Sequence, residues 1–417
     1  MSILSNAQVP VYRSLPAGHI IYGLSNSGNF ATGTNNNGAY LYKSVDSSIT
    51  GLNGGEGWGV NDNGVVCGNF SDPNTLFGGQ PCTVAGVNSG GVWTALPLAP
   101  GYPPVQTEYS YAYDIANDGV TVCGMFWKNA GNTRAYIYNP ATAFTYLPYL
   151  NQSSRANYIS EDGTVAAGWW QDASRVPIRW NPVATALTAG EAQGLNFDGS
   201  KFMGDDNGLP FVWDATAGLT TIPLPSSATG GAATGITDNG VVIGYYDSGF
   251  TFPMTRTAFL YFPGTGLVDL MSYLLSLGCT TTATPGIPVG ISRDGRYMAG
   301  NTSGFPVKGW FVDMGTTINS VATVNTAVLD LAVAPNPSTV GNVSFSFTAQ
   351  GNQIPSITIY DQQGKMIRTL QADQAVSGKT AIVWNRLGEN GQSLSAGSYI
   401  AVLQDGAKSS KISVVLY

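Results

Sequence analysis

A single histidine, His19, serves the whole chain of 417 residues, and only 10% of positions carry a charge. That one imidazole lies near the chain's first strand, where a turn or surface role is expected, which argues against a Ser-His-Asp triad or a histidine-based lyase. The four cysteines, Cys67, Cys82, Cys123 and Cys279, have no CxxC spacing, and the sequence contains no EF-hand or nonapeptide calcium repeat. No metal and no cofactor is therefore expected. Eighteen basic residues against 25 acidic ones leave a net charge of −7, which disfavours tracking nucleic-acid phosphates or an anionic membrane surface. No apolar run reaches the roughly 18–20 residues that cross a bilayer, so no transmembrane segment is expected.

Glycine (53), proline (23), and 9 Trp, 21 Tyr and 16 Phe are plentiful, the composition of a turn-rich β protein with an ample core. The stretch ISEDGTVAAGWW, residues 159–170, has an aliphatic residue, an Asp-Gly turn and a second glycine, and the chain repeats this phrase seven times. The turns are Ser27-Gly28, Asn63-Gly64, Asp118-Gly119, Asp162-Gly163, Asp198-Gly199, Asn239-Gly240 and Asp294-Gly295. Leu24, Val60, Ile115, Ile159, Leu195, Ile236 and Ile291 stand four residues before the turn glycines; Gly33, Gly68, Gly124, Gly168, Gly204, Gly244 and Gly300 follow them. A mirror-type two-residue turn, with positive φ at both central positions, is expected at each. Third and fourth strands follow in most repeats, as in RAYIYNP then AFTYLPYL. Four short antiparallel strands per repeat predict an all-β fold, a seven-bladed β-propeller over residues 8–315.

The seventh repeat lacks a fourth strand, whereas VYRSLP, residues 11–16, resembles the fourth strands TALPL and TYLPYL. The N-terminal segment is expected to complete the last sheet and close the ring, so removing residues 8–17 should expose a sheet edge. Residues 1–7 end in Ser5 and Ala7, a small-x-small cleavage pattern leaving Gln8 first; they read as a signal-peptide remnant or an expression artefact outside the fold. Cys67 and Cys123 occupy equivalent places in successive repeats, so sheets about 10 Å apart keep them beyond disulfide reach. Buried thiols are expected, and Cys67 with Cys82 is the one pair whose strands could be neighbours.

Residues 20–315 resemble the extracellular HAF-type repeat proteins, in GISRDGRYMAG and GITDNGVVIGYY most closely, with GAYLY, RAYIY and TAFLY where that family carries its histidine. The resemblance implies a β-propeller and export, and brings no assigned activity.

After a Thr/Asn/Val linker, residues 316–327, the pattern changes to about seven alternating strands over residues 328–417, a count that suits an immunoglobulin-like β-sandwich. Pro335-Asn336-Pro337, the YDQQGK hairpin, Trp384, LSAGSYIAVL and the closing KSSKISVVLY resemble the C-terminal sorting domain of type IX secretion cargo in Bacteroidetes. The resemblance implies that the type IX secretion machinery is a partner, that the protein reaches the cell surface or medium of a Gram-negative bacterium, and that Gly397, Tyr399 and Lys411 lie in the sorting motifs. A turn and a core aromatic are the structural roles open to Gly397 and Tyr399.

In a propeller the loops joining second and third strands share one face. The residues there include Trp127, Trp169, Trp170, Asp172, Asp205, Asp206, Tyr245, Tyr246 and Asp247. Aromatic rings beside carboxylates and amides suit a sugar face, so these residues are the candidate glycan-binding rim. The same aromatics could instead fill the wedges between sheets, and the acids could make turns. The expected function is a surface recognition or adhesion module; the rivals are a carbohydrate hydrolase using two of Asp172, Asp205, Asp206 and Asp247, and a structural subunit of a surface layer or filament.

Overall fold

The computed structural model describes residues 9–148, 152–181, 183–248, 255–304, 306–318, 331–339, 341–350, 354–361, 366–372, 374, 377–405 and 408–417. The expected signal remnant, most of the linker and the tip of the YDQQGK hairpin lie outside them. The chain divides into two compact units, Met1–Ser320 and Val321–Tyr417.

The first unit is a β-propeller built from four-stranded antiparallel sheets, seven of them among the described residues. Their first strands are Ile20–Leu24, Glu56–Val60, Ser110–Ile115, Ser154–Ile159, Gly190–Leu195, Ala228–Ile236 and Pro285–Ile291. Each first strand contacts that of the next sheet, and Ile20–Leu24 contacts Pro285–Ile291, so these strands form a closed ring. Val11–Ser14 supplies the outer strand of the last sheet by pairing with Gly309–Asp313, from Val11 opposite Asp313 to Ser14 opposite Trp310. Apolar side chains fill the wedges between sheets, as where Ala116 and Cys123 pack with Ile159, Ile178 and Trp180. One short helix, Leu270–Ser276, follows the sixth sheet, with the Asp269 side chain accepting a hydrogen bond from Ser272 N–H at its start.

The repeated phrase has a physical explanation in its two glycines and one polar residue. Gly28, Gly64, Gly119, Gly163, Gly199, Gly240 and Gly295 adopt φ of 71–82°, and each N–H donates to the carbonyl three residues earlier, as Gly163 does to Ser160 at 2.9 Å. The residue before each glycine is not left-handed, which corrects the expected mirror-type turn: a longer loop with one left-handed glycine suffices. Three residues before the glycine, a buried Ser, Asn or Thr closes the loop in six of the sheets. Ser160 Oγ accepts Val165 N–H at 3.0 Å, Asn61 Oδ1 accepts Val65 N–H at 3.0 Å, and Ser292 Oγ accepts Tyr297 N–H at 2.9 Å.

The second glycine answers a β-bulge. In each first strand the residue two before the repeat's aliphatic is unpaired: Tyr22, Trp58, Tyr113, Asn157, Gln193, Thr234 and Val289, with Thr229 and Gly286 unpaired as well in the sixth and seventh sheets. The extra residue drives a first-strand carbonyl toward the second strand. A Cβ on Gly33 would sit 1.8 Å from Ile20 O, and one on Gly168 2.0 Å from Arg155 O.

The second unit has a three-stranded sheet, Ala332–Ala334, Val343–Gln350 and Ser377–Trp384, and a four-stranded sheet, Met366–Gln371, Ser356–Tyr360, Gly397–Asp405 and Lys408–Leu416. One core joins them, with Phe345, Phe347 and Trp384 from the first and Ile357, Tyr399, Leu403 and Val414 from the second.

Candidate functional site

The bulges decide what faces the ring's central channel. Six of the seven residues two before the aliphatic, all but Gln193, line a channel of about 190 Å³ that runs to the asparagines of the turns, among them Asn26, Asn61 and Asn117. The first three sheets contribute aromatic rings: Tyr22 stacks on Trp58 with centroids 4.3 Å apart, and Trp58 meets Tyr113 edge-on at 5.4 Å. Trp58 Nε1 donates to Asn69 Oδ1 at 2.7 Å, which locks the indole. The guanidinium of Arg155 lies 4.1 Å from the Tyr113 ring centroid while Arg155 Nε donates to Asn157 Oδ1. Burial raises the phenol pKa of both Tyr22 and Tyr113, so both hydroxyls stay protonated at neutral pH.

Glycine follows the bulge residue in five sheets, and here the ring is tightest. A Cβ on Gly23 would lie 2.5 Å from Trp58 O, and one on Gly59 2.7 Å from Asp114 Cα. In the third sheet the equivalent residue is Asp114, whose carboxylate bridges two sheets by accepting Ile115 N–H at 2.9 Å and Ile159 N–H at 3.0 Å. Burial pushes this carboxyl up to about 7, against the pull of those two donors.

At the turn end, neighbouring loops are tied by backbone bonds: Asn117 N–H to Glu161 O at 2.9 Å, Glu161 N–H to Phe197 O at 2.7 Å, Asp238 N–H to Arg293 O at 2.8 Å and Arg293 N–H to Asn26 O at 2.9 Å. Arg293 reaches from the seventh sheet to Glu161 of the fourth at 3.3 Å, to Asp238 at 3.3 Å, and over the Phe197 ring at 3.8 Å.

The rim residues fall into connected and separate members. Tyr245 Oη donates to Gln193 Oε1 at 3.4 Å, Gln193 Nε2 donates to Asp205 Oδ1 at 3.1 Å, and Arg256 covers Tyr245 at 5.0 Å while pairing with Asp247 at 2.9 Å. Burial, ahead of all other influences, raises the Asp205 carboxyl. Asp206 is taken up by Thr188, accepting its N–H at 3.1 Å and its hydroxyl at 2.6 Å. Trp169 is buried beneath Arg175, 4.4 Å from its centroid, and Arg175 pairs with Glu191. Trp170 packs on the Ile178 and Trp180 cluster, and Tyr246 on that of Phe259 and Val242. Trp127 is half-buried, and Asp172 is exposed at a hairpin end; neither joins the others.

The sequence reading places glycan contacts past the second glycine, which leaves the channel residues out. A signal existed: two residues before each repeat's aliphatic, the sequence reads Tyr22, Trp58, Tyr113, Asn157, Gln193, Thr234 and Val289.

Cys67, Cys82, Cys123 and Cys279 are free and buried. Cys67 is opposite Val87 while Cys82 is opposite Asp72, five rungs along one hairpin, or about 16 Å at roughly 3.3 Å per residue, beyond disulfide reach.

In the second unit Asn336 holds the last strand, donating to Ser413 O at 2.8 Å and accepting Val415 N–H at 2.9 Å. Pro335 and Pro337 flank it. Tyr399 is a core residue, edge-on to Trp384 at 6.1 Å, with Oη donating to Ser395 O at 2.8 Å. Gly397 and Lys411 are exposed on adjacent strands, Gly397 opposite Leu416 and Lys411 opposite Val402.

Residues 332–416 match the secretion system C-terminal sorting domain family. The match implies handling by the type IX secretion machinery and a secreted or cell-surface protein. No curated protein matches the chain. Among solved structures, it is similar to PorZ, a bacterial surface component of the type-IX secretion system of Porphyromonas gingivalis, at 11% identity and TM-score 0.17, covering 95% of this chain and 86% of that one. TolB from Acinetobacter baumannii aligns at 13% identity and TM-score 0.30, covering 83% and 79%. The β-propeller domain of the Trilobed protease from Pyrococcus furiosus aligns at 11% identity and TM-score 0.32, covering 74% and 96%. No helix among the described residues is long and apolar enough to cross a membrane.

Proposed function

We propose that the chain is an exported surface recognition module: a seven-bladed propeller of HAF-type repeats over residues 8–315, a linker over 316–327, and an immunoglobulin-like sorting sandwich over 328–417. Its ligand is a glycan, bound on the face where second and third strands turn. The observation that carries this reading is the connected set Asp205, Gln193, Tyr245, Arg256 and Asp247 on that face. It fixes carboxylates, an amide, a guanidinium and a phenol hydroxyl on one face, the donors and acceptors that the hydroxyls of a sugar require. The sorting-domain match supports an extracellular setting in which a glycan would be met.

The test is a glycan array probed with the full chain. Retention of a defined glycan, weakened by Asp247→Asn or Tyr245→Phe, is the expected result; no retained glycan overturns the reading. The raised Asp205 carboxyl favours one alternative, a hydrolase with Asp205 as general acid. Release of reducing ends from a retained polysaccharide, abolished by Asp205→Asn, would replace recognition by catalysis.

A further inference from the structure

Resting on the glycan reading, we infer that the central channel is the subsite for one terminal sugar unit, entered end-on. Among the described residues, three hydroxyls of the channel have no protein partner. Tyr22, Tyr113 and Tyr158 all line the channel, none has its phenol oxygen buried without contact to open space, and among the described residues none of the three hydroxyls makes a hydrogen bond to protein. Two of the nearby donors are taken up, Trp58 Nε1 by Asn69 and Arg293 by Glu161 and Asp238, while Arg155 is held over Tyr113 by the neutral amide of Asn157. The channel therefore offers neutral hydroxyl donors and acceptors beside the one guanidinium of Arg155.

Its two sides differ in a way that suits a pyranose ring. Tyr22, Trp58 and Tyr113 come from three consecutive sheets and form an aromatic wall, Tyr22 stacked on Trp58 and Trp58 edge-on to Tyr113, while Asn157 and Thr234 are supplied by the fourth and sixth. At about 190 Å³ the space falls below the roughly 300–1,000 Å³ of sites for larger ligands, so it admits one small unit. The Arg293 bar at the turn end stops a chain from threading through. Gln193, the bulge residue that leaves the channel, joins Tyr245 and Asp205 of the rim, placing the neighbouring sugar units over that cluster.

The test uses the full chain with free glucose, galactose, mannose, N-acetylglucosamine, rhamnose and fucose, followed by saturation-transfer NMR and calorimetry, beside the glycan array. A sugar that binds the wild type is expected to lose about tenfold in affinity for each hydroxyl removed in Tyr22→Phe and Tyr113→Phe, at unchanged melting temperature. Asp247→Asn should weaken an oligosaccharide and leave the monosaccharide unaffected. A glycan retained equally by wild type and both Phe variants would overturn the channel site while the glycan reading stands. No sugar retained by any method would overturn both.

Discussion

Arg293 and Glu161 are 132 residues apart in the chain, yet Nη1 of the first lies 3.3 Å from Oε2 of the second across the turn-end mouth of the channel. Both side chains keep solvent contact, 39% and 28% exposed, so the ion pair itself contributes less than about 1 kcal/mol. Arg293 also covers Phe197, adding about 0.5–1 kcal/mol. Arg293→Ala is expected to lower stability by about 1–2 kcal/mol, with a double-mutant cycle against Glu161→Ala giving a coupling below about 1 kcal/mol that shrinks in high salt. A coupling of several kcal/mol would mean that the bar supports the ring.

Removal of residues 9–17 takes away Val11–Ser14 and leaves Gly309–Asp313 as an unpaired edge, a template for aggregation. It also deprives the Tyr40 and Phe311 cluster of Leu15. The shortened chain should aggregate or melt well below the parent by calorimetry; a parental melting curve would show that closure contributes little.

Trp170 and Tyr246 pack against inter-sheet clusters, so Trp170→Ala and Tyr246→Ala should each cost about 2–4 kcal/mol, scaled down from full aromatic truncation for their partial exposure. Thermal melts and glycan retention read together decide the point. Unchanged melting with lost retention would return these rings to the ligand.

Asp114 gives a pH signature. Its folded carboxyl is raised to about 7 from the ordinary 3.8, so the native state holds the proton more tightly than the unfolded chain. The stabilisation is complete below about pH 4, is lost as pH rises toward 7, and stays lost above it. Three turn aspartates, Asp118, Asp162 and Asp198, behave oppositely: burial opposes their ionisation, but N–H and hydroxyl donors such as Thr121, Ser160 and Ser200 outweigh it and hold them low. Their stabilisation is present above about pH 4 and is lost on acidification. Across pH 5 to 8, Asp114→Asn should gain on the wild type as pH rises, by up to a few kcal/mol. Parallel stability curves would remove Asp114 from this role.

Asn336→Ala should unlatch the final strand of the second unit, since one amide serves both Ser413 O and Val415 N–H. A loss of about 1–2 kcal/mol is expected. Faster amide exchange confined to residues 413–415 is the measurement; uniform exchange across the sandwich would contradict it.

Local chemistry made much of the fold legible. Asp162-Gly163 and its six counterparts announced hairpins, and the fourth-strand likeness of VYRSLP announced pairing with the last sheet, because turns and strands are built from residues adjacent in sequence. The sequence did not reveal which residue of each first strand would be left unpaired. A bulge depends on the partner strand's register, and its consequence depends on six other sheets brought around one axis. Thus Tyr22, Trp58 and Tyr113, scattered over some 90 residues, share a channel wall, while Trp169 and Tyr245, read as a rim, are buried under Arg175 and Arg256. Repetition determined the sheets because each is a local object; ring closure alone decided what faces the axis, because that arrangement is a long-range property that no single repeat contains.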